Sequence, residues 1–133
     1  MANALYPLWK EQLLQFTANN NLSSGTVKVA LVTAGYTYSS TDQFYSSVSA
    51  SVVGTPQTLS SKTYTNGVFD AADVTFTAVT GSQVTQLVIY IDTGSAATSP
   101  LVAFFDTSVT NLPVTPNGGD IAITWNGSGI FAL

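Results

Sequence analysis

The chain offers a narrow set of groups for chemistry. Its acids are Glu11, Asp42, Asp70, Asp73, Asp92, Asp106 and Asp120, its bases are Lys10, Lys28 and Lys62, and it has neither His nor Cys. Without imidazole there is no Ser-His-Asp triad and no neutral-pH proton shuttle, and the commonest metal ligand is missing. Without thiols there is no disulfide framework and no thiolate site, so the redox compartment is left open. A serine nucleophile would need a lysine as its base. Lys10 falls on a helical segment and Lys28 on the outward side of a strand pattern, where lysines are normally solvated. Two carboxylates flanking one cleft could hydrolyse a glycoside. All but Glu11 and Asp42, however, fall at strand ends or turns, where Asp is favoured for bonding local backbone. Asp70-Ala-Ala-Asp73 supplies two carboxylates without the spacing of a Ca²⁺ loop. Asn117-Gly118-Gly119 and Gly127-Ser128-Gly129 lead into strands rather than helices, the wrong context for a phosphate cradle. Asn21-Leu22-Ser23 and Asn126-Gly127-Ser128 fit the glycosylation pattern, which chance alone supplies where no secretory signal precedes it. The expectation is a protein that is not an enzyme and uses no metal or cofactor.

One cluster could hold a ligand without chemistry. Tyr36, Tyr38, Phe44 and Tyr45 bring aromatic faces next to hydroxyls, a combination that stacks sugars and that β-sandwiches carry on loops. The plainer reading, which carries more weight, makes these rings a lid over one end of the core.

The elements that must position such groups are mostly strands. The stretch from Val84 to Asp106 holds two apolar runs, Gln86–Ile91 and Leu101–Phe105, around a polar connection. Both faces of each run are apolar, as expected for a central antiparallel pair covered on both sides. Ahead of it, Thr26–Val32 reads as a strand with Val27, Val29 and Leu31 inward. Asp73–Val79 reads as another, with Val74, Phe76 and Ala78 inward. Ala50–Leu59 is extended but interrupted at Gly54 and Pro56, which predicts an edge strand or a bulge. Asn66-Gly67 signals a tight turn. Thr41 is expected to cap a short helical turn anchored by Phe44, Tyr45 and Val48. Ile121, Ile123 and Trp125 alternate, and Ile130–Leu133 closes the chain as a short strand. Before all of these, Leu5, Trp9, Leu13 and Phe16 form a stripe at helical spacing, with Pro7 suited to a first turn. That stripe caps the domain's own sheet or, as an arm within residues 1–20, docks on a neighbour.

These segments predict a single mainly-β domain over 1–133: an antiparallel β-sandwich, jelly-roll or Ig-like, of about 7–9 short strands with one N-terminal helix. A chain of 133 residues can bury its own core. Charged residues make up only 8% of it, against about a quarter in ordinary domains. Polarity comes from Ser, Thr, Asn and Gln instead, so part of the surface is expected to be covered by a partner. With a net charge of −4 and no cluster of Lys or Arg, nucleic acid is not an expected partner. No apolar run approaches the ~18 residues that span a bilayer, and MANALYPLWKEQLL lacks the features of a secretory signal. The chain is therefore expected to be made in the cytoplasm, away from membranes.

Five stretches together carry a resemblance: MANALYPLWKEQLL, GTVKVALV, TNGVFDAADVTFTAVTG, LVIYIDTGSAATSPLVAFFD and NLPVTPNGGDIAITWNGSGIFAL. Spanning nearly the whole chain, they resemble a family of small virion proteins of tailed bacteriophages associated with capsid decoration, or cement. The resemblance implies a non-enzymatic part on the outer capsid surface of the virion, made in the host bacterium, with the major capsid protein as partner. It implies self-association around local symmetry axes, a trimer first and a dimer next. Such a part would gain its energy from buried apolar area and from strand-edge pairing. The expected contacts are Leu5, Trp9 and Leu13 on the helix and the 36–48 loop with Tyr36, Tyr38, Phe44 and Tyr45. A tail or head–tail joining subunit is the alternative within the virion, and a carbohydrate-binding module using Tyr36 to Tyr45 the alternative outside it.

Overall fold

The structure, a computed structural model, describes residues 3–133. The described residues form nine strands and one α-helix: β1 (Ala4–Leu5), α1 (Pro7–Leu14), β2 (Thr26–Thr33), β3 (Val52–Thr58), β4 (Val68–Phe69), β5 (Val74–Phe76), β6 (Val84–Asp92), β7 (Leu101–Phe105), β8 (Ile121–Ile123) and β9 (Phe131–Ala132). A five-stranded antiparallel sheet runs β1-β7-β6-β2-β3, accompanied by two two-stranded sheets, β4-β9 and β5-β8. The architecture is mainly β and sandwich-like, as the spacing of turn signals predicts.

The doubly apolar runs form the centre. β6 pairs antiparallel with β7 through Leu87↔Phe105, Val88↔Phe104 and Ile89↔Ala103, then shifts register by a bulge before Tyr90↔Leu101. On its other side β6 pairs with β2 from Thr26↔Asp92 to Thr33↔Val84. β2 is covered on both faces as well: Ala30 and Val32 are as buried as Val27, Val29 and Leu31. Each large apolar side chain taken out of water there contributes about 1.5–3 kcal/mol.

The sheet edges are blunt. On one side β1 has only two residues. On the other, β3 carries Gly54 at φ 70° and Pro56, and its register against β2 shifts between Val29 and Leu31. Proline removes a ladder donor, and a bulge twists the edge away from straight pairing. The sequence expectation of an interrupted edge strand is met. Among the described residues, lateral strand addition, expected as one source of partner affinity, has no long flat edge of this sheet to work on.

Four local expectations are corrected. The helix covers only Pro7–Leu14. Leu5 lies before it in β1, paired with Ala103, and Phe16 lies beyond its end. Ala78 is exposed at φ 50°, so the alternation of β5 breaks there and Val79 takes the inward place. Thr41 caps nothing: its hydroxyl meets that of Ser39 at 2.8 Å, and the helical turn starts later, at Tyr45. Trp125 follows β8 and is half-buried, its indole N–H donating to the Ala72 carbonyl at 3.2 Å.

Candidate functional site

Four aspartates accept from backbone N–H groups, Asp70 and Asp92 locally as turn aspartates usually do, Asp73 and Asp120 from distant segments. Asp70 Oδ1 accepts from Ala71 N at 2.9 Å, Asp73 Oδ1 from Trp125 N at 2.9 Å and Asp120 Oδ1 from Ala78 N at 3.1 Å. Asp92 pairs with Lys28 Nζ at 2.8 Å and accepts from Gly94 N at 2.9 Å. Those two donors, the ammonium foremost, hold its carboxyl below the usual range. Lys62 Nζ donates to the carbonyls of Leu22 at 2.7 Å and Gly25 at 2.9 Å, fastening the 22–25 turn. Among the described residues no group of three or more acids could hold a metal ion, and no helix is long and apolar enough to cross a membrane.

The aromatic cluster splits: Tyr36 and Tyr38 share Phe104 and Tyr6, while Tyr45 and Phe44 lie against other residues. Tyr36 is buried, its ring edge-on to Phe104 at 6.1 Å. Tyr38 packs between Phe104 and Tyr6, with ring centroids 5.2 Å from each. Tyr45 stacks flat on Tyr90, centroids 3.9 Å apart and planes 12° from parallel. Phe44 bridges to Pro100 and, with Trp9, Gln12, Asn20 and Gln43, lines a pocket of about 220 Å³. The rings of Tyr36, Tyr38 and Tyr45 pack on other rings of the protein, in keeping with the lid reading, and Phe44 lines the pocket. They do not form one platform.

The helix presents something the aromatic loop does not. Trp9, 1% exposed, anchors α1 in the core against the edge of Phe131. Its indole N–H reaches the Asn20 carbonyl at 3.4 Å. Leu5 and Leu13 are half-buried against the same core. Beyond Leu14 the helix is closed by two bonds, Phe16 N to the Leu13 carbonyl at 3.2 Å and Thr17 N to the Gln12 carbonyl at 3.1 Å. This pair defines a Schellman motif, whose left-handed residue is usually glycine. Here that residue is Phe16, at φ 58° and 96% exposed. A bulky residue in the left-handed region costs about 1–2 kcal/mol, and an exposed ring returns nothing by burial.

Phe16 has apolar company. Leu133, 68% exposed, lines the same hollow as Phe16; Leu14, 88% exposed, does not. Phe16, Leu13, Leu22, Tyr64 and Leu133 surround a concavity of about 270 Å³ that no charged side chain lines. Asn20 Nδ2 holds the turn beneath it, donating to Thr17 Oγ1 and the Ala18 carbonyl, each at 2.8 Å. Leu133 N donates to the Gly67 carbonyl at 3.0 Å and fixes the chain's last residue beside Tyr64. The result is an apolar patch with a protruding ring next to a hollow. Of the helix residues expected at an interface, Leu13 belongs to it, Leu5 does not, and Trp9 reaches it only from the core side.

Sequence reasoning read Phe16 as part of the buried stripe and passed over Leu14 and Leu133. A long apolar side chain three residues after Leu13, with polar Thr17 to Asn21 behind it, fits a helix end as well as a helix. No protein-family model matches this chain, and no curated protein matches it.

Proposed function

We propose that this chain is a non-enzymatic structural protein of a tailed-bacteriophage virion, a capsid decoration (cement) protein that seats on the outer shell and stabilises the major capsid protein. The observation that carries the reading is Phe16. A fully exposed aromatic ring, placed where glycine would fold better, beside a mostly apolar hollow walled by Leu22, Tyr64 and Leu133, benefits the protein when something covers it. The low charge of the whole chain supports the same reading. So does its likeness to small virion proteins in the five stretches quoted above. We move the expected contact surface from Leu5, Trp9 and the 36–48 loop to Leu13, Phe16, Tyr64 and Leu133. Each copy gains modest energy from this patch, and many copies act together on a closed lattice.

The test is quantitative mass spectrometry of purified particles from the source phage. A cement role predicts roughly one copy for every one to three capsid subunits, the stoichiometry of closed-shell symmetry. A handful of copies would place the chain in the tail or neck instead. Complete absence from the particle would overturn the reading.

A further inference from the structure

An asparagine followed by glycine is where a chain can attack itself, because glycine has no side chain to shield its amide nitrogen. The sequence holds three such pairs: Asn66-Gly67, Asn117-Gly118 and Asn126-Gly127. All three asparagines are exposed to water. The fold treats their reacting atoms differently.

The attacking atom is the glycine nitrogen. Gly118 N donates to the Val79 carbonyl at 2.8 Å, and Gly67 N to the Tyr64 carbonyl at 3.3 Å. Gly127 N has no acceptor among the described residues, and the space around Gly127 is open. The attacked atom is the side-chain carbonyl carbon, Cγ. Ser128 N donates to Asn126 Oδ1 at 2.8 Å, and Gly119 N to Asn117 Oδ1 at 2.9 Å. Such a bond folds the side chain back over the following peptide and aims a donor at the oxygen that takes up charge during attack. Asn66, left-handed at φ 56°, has no such donor among the described residues. Asn117 and Asn126 therefore share dipeptide, exposure and polarising bond. They differ in whether the nitrogen is already engaged.

We propose that Asn126 is a site of spontaneous succinimide formation, and that the fold directs this modification to Asn126 over Asn66 and Asn117. Gly127 N loses its proton to solvent hydroxide, and its electron pair forms a bond to Asn126 Cγ. The Cγ–Nδ2 bond then breaks, and ammonia leaves with a proton taken from water. Water opens the ring at either carbonyl, giving aspartate or isoaspartate. Overall one water is consumed and one ammonia released, with no change of oxidation state. Either product places a negative charge in the hollow that Asn126 lines together with Trp125. Isoaspartate also reroutes the backbone through the former side chain, which breaks the turn that Gly129 N closes on the Asn126 carbonyl at 2.9 Å. That turn delivers Ile130 N to the Phe69 carbonyl at 2.8 Å and β9 to β4. The modification thus marks the age of the protein and loosens its last strand. It needs no partner and is independent of the capsid assignment.

Peptide mapping of the full chain, aged in mildly alkaline buffer, tests it. Mass reports the product at each asparagine, and enzymatic methylation reports isoaspartate. We expect the Asn126 product to form about three- to tenfold faster than the Asn117 product, the factor for one net hydrogen bond that must first break. Gly127→Ala should suppress the Asn126 product. A Cβ at Gly127 meets nothing within 4 Å and its φ is not left-handed, so folding is not at stake. In urea the hydrogen bonds are gone, and Asn117 should keep pace with Asn126. An Asn66 or Asn117 product that forms as fast as the Asn126 product in the folded protein would overturn the proposal. So would an Asn126 that stays intact on prolonged ageing, a Gly127→Ala protein that ages like wild type, or a lead for Asn126 that persists in urea.

Discussion

The hydroxyls of Tyr6 and Tyr36 lie 2.8 Å apart, and Tyr36 spends its one proton on Asp42 Oδ2, also at 2.8 Å. Tyr6 must then be the donor to Tyr36. The relay ties the start of α1 to the far side of the 36–48 loop through a largely buried path. Burial foremost, then the donated bond to Tyr36, drives the Tyr6 phenol far above its ordinary range; burial does the same for Tyr36.

A raised phenol pKa stabilises the fold fully below the unfolded value near 10 and less as pH rises past it. The relay tyrosines should therefore ionise only together with unfolding. Tyrosinate absorbance and circular dichroism followed from pH 8 to 12 should show a shared alkaline transition. Tyr36→Phe should cost about 1–3 kcal/mol, because it strands the Tyr6 donor. Reversible tyrosinate formation by Tyr6 or Tyr36 in the folded state would contradict the relay.

The opposite limb belongs to Asp92. Its carboxyl is held low by Lys28 and by Gly94 N. Its contribution is thus present above the unfolded carboxylate pKa and fades as pH falls through the folded one. The pair is partly exposed, so the effect is small, within the 0–1 kcal/mol of surface pairs. Lys28→Met should flatten the fall in urea midpoint between about pH 5 and 2. An unchanged acid slope would assign that fall to other groups.

Phe16→Gly should separate folding from binding. Removing the side chain from a left-handed helix end relieves about 1 kcal/mol and forfeits no burial. Thermal unfolding should shift upward while co-sedimentation with undecorated particles falls at least tenfold. A variant that is less stable would show that the ring supports the fold itself.

Trp9→Ala should do the reverse. The ring is 1% exposed, and emptying such a site costs about 3–5 kcal/mol. Chemical denaturation should show most of that loss. Leu14→Ser, on the open side of the same helix, should stay within about 0.5 kcal/mol of wild type.

Much of this architecture was legible before any coordinates. The β6–β7 pair announced itself because both faces of Gln86–Ile91 and Leu101–Phe105 are apolar, a signal that only a covered strand needs. The β3 edge was legible because Pro56 and Gly54 act locally. What escaped was decided by backbone conformation or by distant pairing. Ala78 adopts a left-handed conformation that alternation cannot foresee, and the pairing of Phe69 with Phe131 joins distant parts of the chain. At the candidate site, the apolar stripe correctly placed Trp9 inward. It misplaced Phe16, since a four-and-three spacing continues past a helix end as readily as within it.

The guarded sheet edges bear on how densely such a protein can be stored. A β protein short of charge and crowded at high local concentration is a natural seed for fibres, since each bare strand can recruit the next. Here the outermost strands are a two-residue stub and a segment broken by Gly54 and Pro56. Neighbours brought side by side find no continuous ladder to extend. Sheet-to-sheet polymerisation through these two edges is thereby discouraged.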